Sequence, residues 1–234
     1  MINMGTSDDK KLKFRHELKH VITPQDRLIL RQRLNAVAHT DPHAVNGIYR
    51  IRSLYFDNLY DKALTEKLEG LSRREKFRIR YYNGDTGFIH LEKKSKIVTL
   101  CNKQSAGLSA DEADKIITGD LDWMILSDRP LVRELYTKML GQGLKPKTIV
   151  DYKREPYIYG PGNVRVTIDY DIRTGIRSTD FLDPDCPMVL AGEPVIILEV
   201  KWDEYLPDII RGIVQLNNRQ SGGFSKYAAC RIFG

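Results

Sequence analysis

The sequence predicts an α+β fold in which antiparallel strands carry helices on one side, and three observations predict it. Apolar and charged residues alternate with period two in several separate stretches, the mark of strands whose side chains point in turn to two faces. Helix start signals stand between them, at Thr23-Pro24 and at Ser109 with Glu112. Most strands set a charged parity against an apolar one: Glu17/Lys19, Arg50/Arg52, Arg78/Arg80, Glu92/Lys94, Arg165/Asp169 and Glu199/Lys201.

Residues 14–22 form the first strand, with Arg15, Glu17 and Lys19 on one face and Phe14, His16 and Leu18 on the other. Thr23 as N-cap, Pro24 and the capping acid Asp26 open a helix to about residue 37. Its Leu28, Ile29, Leu30 and Leu34 make the apolar face, and Arg27, Arg31 and Arg33 the wet side. Residues 39–47 read as a loop, whose two histidines and one aspartate fall short of the three or four ligands a metal site needs. A second strand covers 49–57, and Asn58 caps a short helix stopped at Gly70.

Residues 76–96 read as a hairpin about a turn at 83–87, and its charged face collects Lys76, Arg78, Arg80, Glu92, Lys94 and Lys96. Like charges opposite each other across a strand pair are destabilising, so a face this cationic calls for a reason beyond solvation. Residues 98–106 are a linking strand or loop containing Lys103. Two helices follow, 111–126 and 131–140, with Trp123, Met124, Leu135 and Met139 as core. Strands return at 148–157, at 164–171 with Arg165, Thr167, Asp169 and Asp171 on one face, and at 195–202. In that last strand Glu199 and Lys201 interrupt an apolar run and must face something polar and enclosed, because an unpaired buried charge is costly. Pro207 opens a final helix to Asn218. Gly222-Gly223 then leads into Ser225-Lys226, where bare backbone N–H groups can approach a phosphate, although G-x-x-x-x-G-K-[ST] and G-x-G-x-x-G are both absent.

The formal charge of +6 points to polyanionic partners. Cys101, Cys186 and Cys230 form no C-x-x-C, which argues against structural zinc or a disulfide framework and for a reducing cytosol. The polar N-terminus lacks the apolar stretch of a signal peptide, and no apolar run nears the ~20 residues of a membrane span. The expectation is a flexible leader over 1–12, a single domain over 13–234, and a cytoplasmic location, at the inner face of a membrane only through a separate membrane partner. No histidine or cysteine has an evident partner for nucleophilic catalysis. Two architectures accommodate the charged parities: an open sheet with its charges in solvent, or a closed barrel that turns them inward around a water-filled tunnel. In the second, a lumen of many cations and few acids suits a phosphorylated polyanion with Mg²⁺ or Mn²⁺.

Six segments in order, Ser53-Leu-Tyr-Phe-Asp-Asn58, Phe77-Arg-Ile-Arg-Tyr-Tyr82, Leu91-Glu-Lys-Lys94, Arg165-Val-Thr-Ile-Asp169, Leu198-Glu-Val-Lys201 and Phe224-Ser-Lys-Tyr227, resemble the catalytic domain of the vacuolar transporter chaperone (VTC) polyphosphate polymerases, within the triphosphate tunnel metalloenzyme superfamily. The resemblance runs from about residue 14 to 233. It implies an eight-stranded antiparallel β-barrel flanked by α-helices, a bound triphosphate, and Mn²⁺ or Mg²⁺. By motif, Lys19, Arg78, Arg80, Lys94 and Arg154 match the phosphate-binding cations, Glu199 the metal-binding glutamate, and Ser225 and Lys226 the late tunnel residues. Lys103 is a looser match, while Glu17 and Glu92 occupy places that support metal or orient lysines. The implied activity is transfer of the γ-phosphoryl of ATP to inorganic polyphosphate, with Arg78, Arg80, Lys94 and Arg154 on the triphosphate and Lys19 and Lys226 steering acceptor or product.

Two departures stand out. This sequence shows neither the phosphate-sensing domain nor the membrane anchor of eukaryotic members, and Gly222-Gly223 replaces a more basic approach, so that tunnel mouth is expected to be less cationic. The rival readings are a tripolyphosphatase or nucleoside triphosphatase, and a non-catalytic sensor of polyphosphate or nucleotide. Nucleic acid is not expected as a partner, since aromatics are only 9% and Glu199 suits such a groove badly.

Overall fold

The Thr23 hydroxyl accepts from the Asp26 N–H and Asp26 accepts from the Thr23 N–H, which starts α1 (Pro24–Val37) after β1 (His16–Ile22). The computed structural model describes residues 15–98, 100–216 and 222–233, so the leader at 1–12, Phe14 and Asn218 lie outside the described residues. Next come β2 (His39–Thr40), inside the segment expected to be loop, β3 (Tyr49–Asp57) and α2 (Lys62–Leu68). The N-cap of α2 is Asp61, and Asn58 instead accepts from the Tyr60 and Lys62 N–H groups.

The central hairpin is β4 (Arg73–Tyr82) and β5 (Asp85–Ile97), joined by Asn83 and Gly84 at φ 54° and 78°. Two central residues with positive φ match the twist of the strands they connect, so the turn is tighter than the expected 83–87. The stretch around Lys103 is a full strand, β6 (Leu100–Leu108). The helix expected over 111–126 divides in two. Gly119, at φ 90°, ends α3 (Ala110–Thr118), and a 3₁₀ turn (Asp122–Leu126) precedes α4 (Pro130–Gln142), which continues through Gly141 to a cap at Gly143. The chain closes with β7 (Lys145–Tyr159), β8 (Val164–Thr174), β9 (Val189–Leu190), β10 (Ile196–Trp202), α5 (Asp208–Val214) and α6 (Lys226–Ile232).

All strand pairs are antiparallel, and the sheet runs β1-β10-β8-β7-β3-β4-β5-β6, with β2 and β9 paired to β7 and β8 off this path. The path has the eight strands expected, but among the described residues no backbone ladder joins β1 to β6, so the barrel is not closed. The sheet curls instead, and its seam is spanned by side chains, with Lys94 Nζ on β5 lying 3.3 Å from Glu17 Oε2 on β1.

Apolar side chains of the convex face pack under helices in two clusters. One joins Leu54, Phe77, Ile79 and Leu91 to α3 and α4; the other joins Val166, Ile168, Leu198 and Val200 to α1 and α5. In α1 only Leu30 and Leu34 are buried, and Leu28 and Ile29 are exposed; Arg27 leaves the wet side to hold the buried Glu155 carboxylate, while Arg31 reaches the same carboxylate at 3.4 Å but stays exposed, as expected. The concave side is partly filled by α6, whose Tyr227 and Cys230 pack with Ile51, Tyr55, Tyr152 and Ile197. A register shift where β8 passes Asp171 (φ 52°) reverses its parity. Asp171 therefore leaves the face of Arg165, Thr167 and Asp169 and pairs outside with Lys153 and Arg173.

Candidate functional site

The remainder of the concave side is a cavity of about 400 Å³, lined by eleven Lys and Arg side chains against two acids, Glu17 and Glu199. Ten of the eleven residues singled out by sequence line it: Glu17, Lys19, Arg78, Arg80, Lys94, Lys103, Arg154, Glu199, Ser225 and Lys226; the eleventh, Glu92, sits behind Arg78. Strand alternation puts them there, with β4 presenting Lys76, Arg78, Arg80 and Tyr82 and β10 presenting Glu199 and Lys201. Arg50 and Arg52 lie on the other side. Arg52 is held there by Asp151 at 3.0 Å and by the Asp183 carbonyl, which removes this parity from the cavity.

Three buried acids organise the cations. Glu92 accepts from Arg78 Nε at 2.7 Å and lies 2.5 Å from Lys103 Nζ and 3.8 Å from Arg80. Burial disfavours its charge, but Arg78, Arg80 and Lys103 hold the carboxyl well below the usual carboxylate range. Asp169, fully buried, accepts from Arg154 at 2.6 and 2.7 Å and from Lys226 at 2.5 Å. Burial opposes its ionisation too, yet Arg154 and Lys226 bring it down to about 2. Glu199 sits 3.4 Å from both Lys19 and Arg154 and 3.1 Å from Lys201, and these cations outweigh burial to keep it ionised. Lys19 in turn bridges Glu17 at 2.8 Å, and the two carboxylates outweigh its burial and raise its ammonium.

Sequence reasoning placed Lys76, Arg165, Asp169 and Lys201 on charged strand faces but gave them no role in the site, and it left out the phenol rings of Tyr55 and Tyr152. Parity with Glu199 or Arg78 is the signal that finds Lys201 and Lys76, whereas nothing in the sequence announces Asp169 as the partner of Lys226. Tyr55 Oη accepts from Arg78 at 2.7 Å and its ring stacks on Tyr227. Burial would raise its phenol, but Arg78, Lys76 and Arg80 draw it down to about 7. Lys76 has no carboxylate partner among the described residues; burial, with Arg78, Lys94 and Lys19 nearby, lowers its ammonium to about 8 against the pull of Tyr55. The Ser225 hydroxyl accepts from the Ala228 N–H as the α6 cap, which leaves its own proton to offer to the cavity. The Gly222 N–H is spent on the Lys19 carbonyl.

No group of three or more His, Cys, Asp or Glu converges among the described residues. Glu17 and Glu199 do converge, each reached by both Lys19 and Lys201. Two carboxylates suit a hard divalent ion that keeps water and phosphate oxygens in its shell, so this donor set fits such an ion together with a bound phosphate. Asp41, from the histidine-bearing loop, is committed to Arg165 at 3.1 Å.

The profile of the VTC domain matches residues 14–232. The chain belongs to the VTC-domain family. Comparison with curated proteins returns no match. Among solved structures, a Bacillus halodurans protein provisionally assigned as an adenylate cyclase superposes with a TM-score of 0.48 at 13% identity, over 81% of this chain and 80% of that one. The PH1819 protein of Pyrococcus horikoshii gives 0.43 at 14% identity, over 86% and 84%. No helix of this VTC domain is long and apolar enough to cross a membrane among the described residues.

Proposed function

We propose that this VTC-domain protein is a metal-dependent phosphotransferase that moves the γ-phosphoryl group of ATP onto inorganic polyphosphate. The observation that carries this reading is the cavity on the concave face in which eleven cations surround Glu17 and Glu199. A surface that merely dissolves the protein has no use for such crowding, whereas a triphosphate neutralises it. Arg78 and Arg80 from β4, Lys94 from β5 and Arg154 from β7 grip the triphosphate from two sides of the curled sheet, with β3 between β7 and β4, and Lys103 and Lys226 extend the grip. Glu92 and Asp169 fix the guanidinium planes, so their donors are oriented before the substrate arrives.

The terminal phosphate oxygen of the acceptor attacks the γ-phosphorus, the bond from that phosphorus to the β–γ bridging oxygen breaks, and ADP leaves. Charge neutralisation and in-line positioning supply the acceleration, so no protein nucleophile is required. A divalent ion, Mn²⁺ or Mg²⁺, held by Glu199 and Glu17, would add Lewis-acid neutralisation of the phosphate oxygens. Lys19 and Lys201 already span these two carboxylates and hold them together for that ion. The protein would act in the cytoplasm, with any delivery of product across a membrane left to a partner.

The test is incubation with γ-labelled ATP and Mn²⁺, with and without a short polyphosphate primer, followed by separation of products on a gel. The reading expects label in a lengthening ladder. Label in orthophosphate alone would make the protein a hydrolase, and bound but unchanged ATP would make it a sensor.

A further inference from the structure

Beside the two carboxylates of the candidate metal site lies a third oxygen with no partner. Thr167, in β8, lines the cavity and is 3% exposed. Its hydroxyl is closed off from solvent and makes no hydrogen bond among the described residues. The other buried threonines, Thr148 and Thr174, bond each other at 3.2 Å. Arg15 and Arg165 also lack a hydrogen bond at Nε, but Asp203 and Asp41 neutralise those guanidinium groups.

A buried hydroxyl without a partner has given up its bonds to water for nothing in return, whereas a methyl group in its place carries no such penalty. The strand does not demand a hydroxyl here, since Val166 and Ile168 on either side show that it accepts branched apolar residues. Register gives the hydroxyl its neighbours. One rung across β1, β10 and β8 reads Lys19, Glu199, Thr167, and the rung of the same parity beside it reads Glu17, Lys201, Arg165. Residues directly opposed on neighbouring strands have Cβ atoms about 4.5–5.5 Å apart, which puts Thr167 within side-chain reach of the Glu199 carboxylate. The two do not bond each other; Glu199 is held by Lys19, Lys201 and Arg154 instead. A carboxylate and a hydroxyl placed side by side with no mutual bond suit a shared cation.

Resting on the metal-dependent reading above, we infer that the Thr167 hydroxyl is a third protein ligand of the divalent ion, flanking Glu199 on the side away from Glu17. The three donors come from three consecutive strands of the sheet, β1, β10 and β8. Hard divalent ions take neutral oxygens beside carboxylates, and a serine or threonine hydroxyl on Mg²⁺ next to a triphosphate recurs in phosphoryl transfer. The neutral donor matters for the substrate: a third carboxylate at this place would repel the phosphates, while a hydroxyl adds coordination without charge. Lys19 and Lys201, long side chains that now neutralise Glu199, give way as the ion enters.

The experiment measures Mn²⁺ affinity from the paramagnetic resonance of the free ion in wild type, Thr167→Val and Thr167→Ser, and triphosphate affinity by calorimetry with EDTA present. Mn²⁺ should bind the valine variant at least about tenfold more weakly than wild type, and the serine variant nearly as well as wild type. Metal-free triphosphate should bind all three alike. The ligand-free valine variant should melt no lower than wild type, because a methyl group replaces an unbonded hydroxyl. If that variant does not fold, Thr167→Ala against Thr167→Ser reads the same difference. Equal Mn²⁺ affinity with and without the hydroxyl overturns the inference and leaves the proposed function standing. Weakened metal-free triphosphate binding in the valine variant assigns the hydroxyl to phosphate and overturns it too. Failure of wild type to bind Mn²⁺ overturns both the inference and the metal dependence on which it rests.

Discussion

Tyr55 and Lys76 carry the clearest single-residue consequence. The phenol sits at about 7 because Arg78, Lys76 and Arg80 favour its anion despite burial, and the ammonium at about 8 because burial and like charges disfavour its cation. A phosphate ligand reverses both influences: it repels a phenolate and attracts an ammonium, so both groups regain protons when the cavity fills. Triphosphate binding between about pH 7 and 8 should therefore take up protons. Calorimetry in buffers of different ionisation enthalpy would show that uptake, and Tyr55→Phe should reduce it; a binding heat independent of buffer would rule the coupling out. Sequence supplied only part of this. The parity of Lys76 with Arg78 was legible, but the lack of an acid beside it depends on which strand lies opposite.

At the scale of elements, Asp169 ties β8 to Arg154 on β7 and to Lys226 at the start of α6. Removing one member of a buried ion pair leaves its partners uncompensated, at a cost of about 3–5 kcal/mol. Asp169→Asn should lower the melting temperature accordingly, yet triphosphate should raise it further in the variant than in wild type, because the stranded cations gain most from an anion. Equal ligand-induced shifts would mean that Asp169 does not set the charge of the cavity. The elements themselves were largely readable: the Thr23 and Ser109 capping boxes, the central hairpin and the alternation of β8 and β10 sit where local patterning puts them. What local patterning missed were matters of pairing. β2 exists because β7 lies beside it, Asp171 changes face at a register shift, and Arg27 turns inward because Glu155 is buried beneath α1.

At the scale of the molecule, alternation left an open sheet and a closed barrel equally allowed, and the structure is intermediate: an eight-strand path that curls without closing its backbone ladder. Curling is a long-range property, set by helices on the convex face and by α6 on the concave one, and no single strand encodes it. Its result is a concave cavity on which eleven cations converge with only Glu17 and Glu199 among its lining acids. The central claim is that this cationic cavity performs metal-dependent phosphoryl transfer through Glu199. The most direct test compares Mn²⁺-dependent turnover of γ-labelled ATP by wild type and Glu199→Gln, with ATP binding measured in parallel. Loss of turnover with partial survival of binding is the predicted result; wild-type turnover in the variant would contradict the claim.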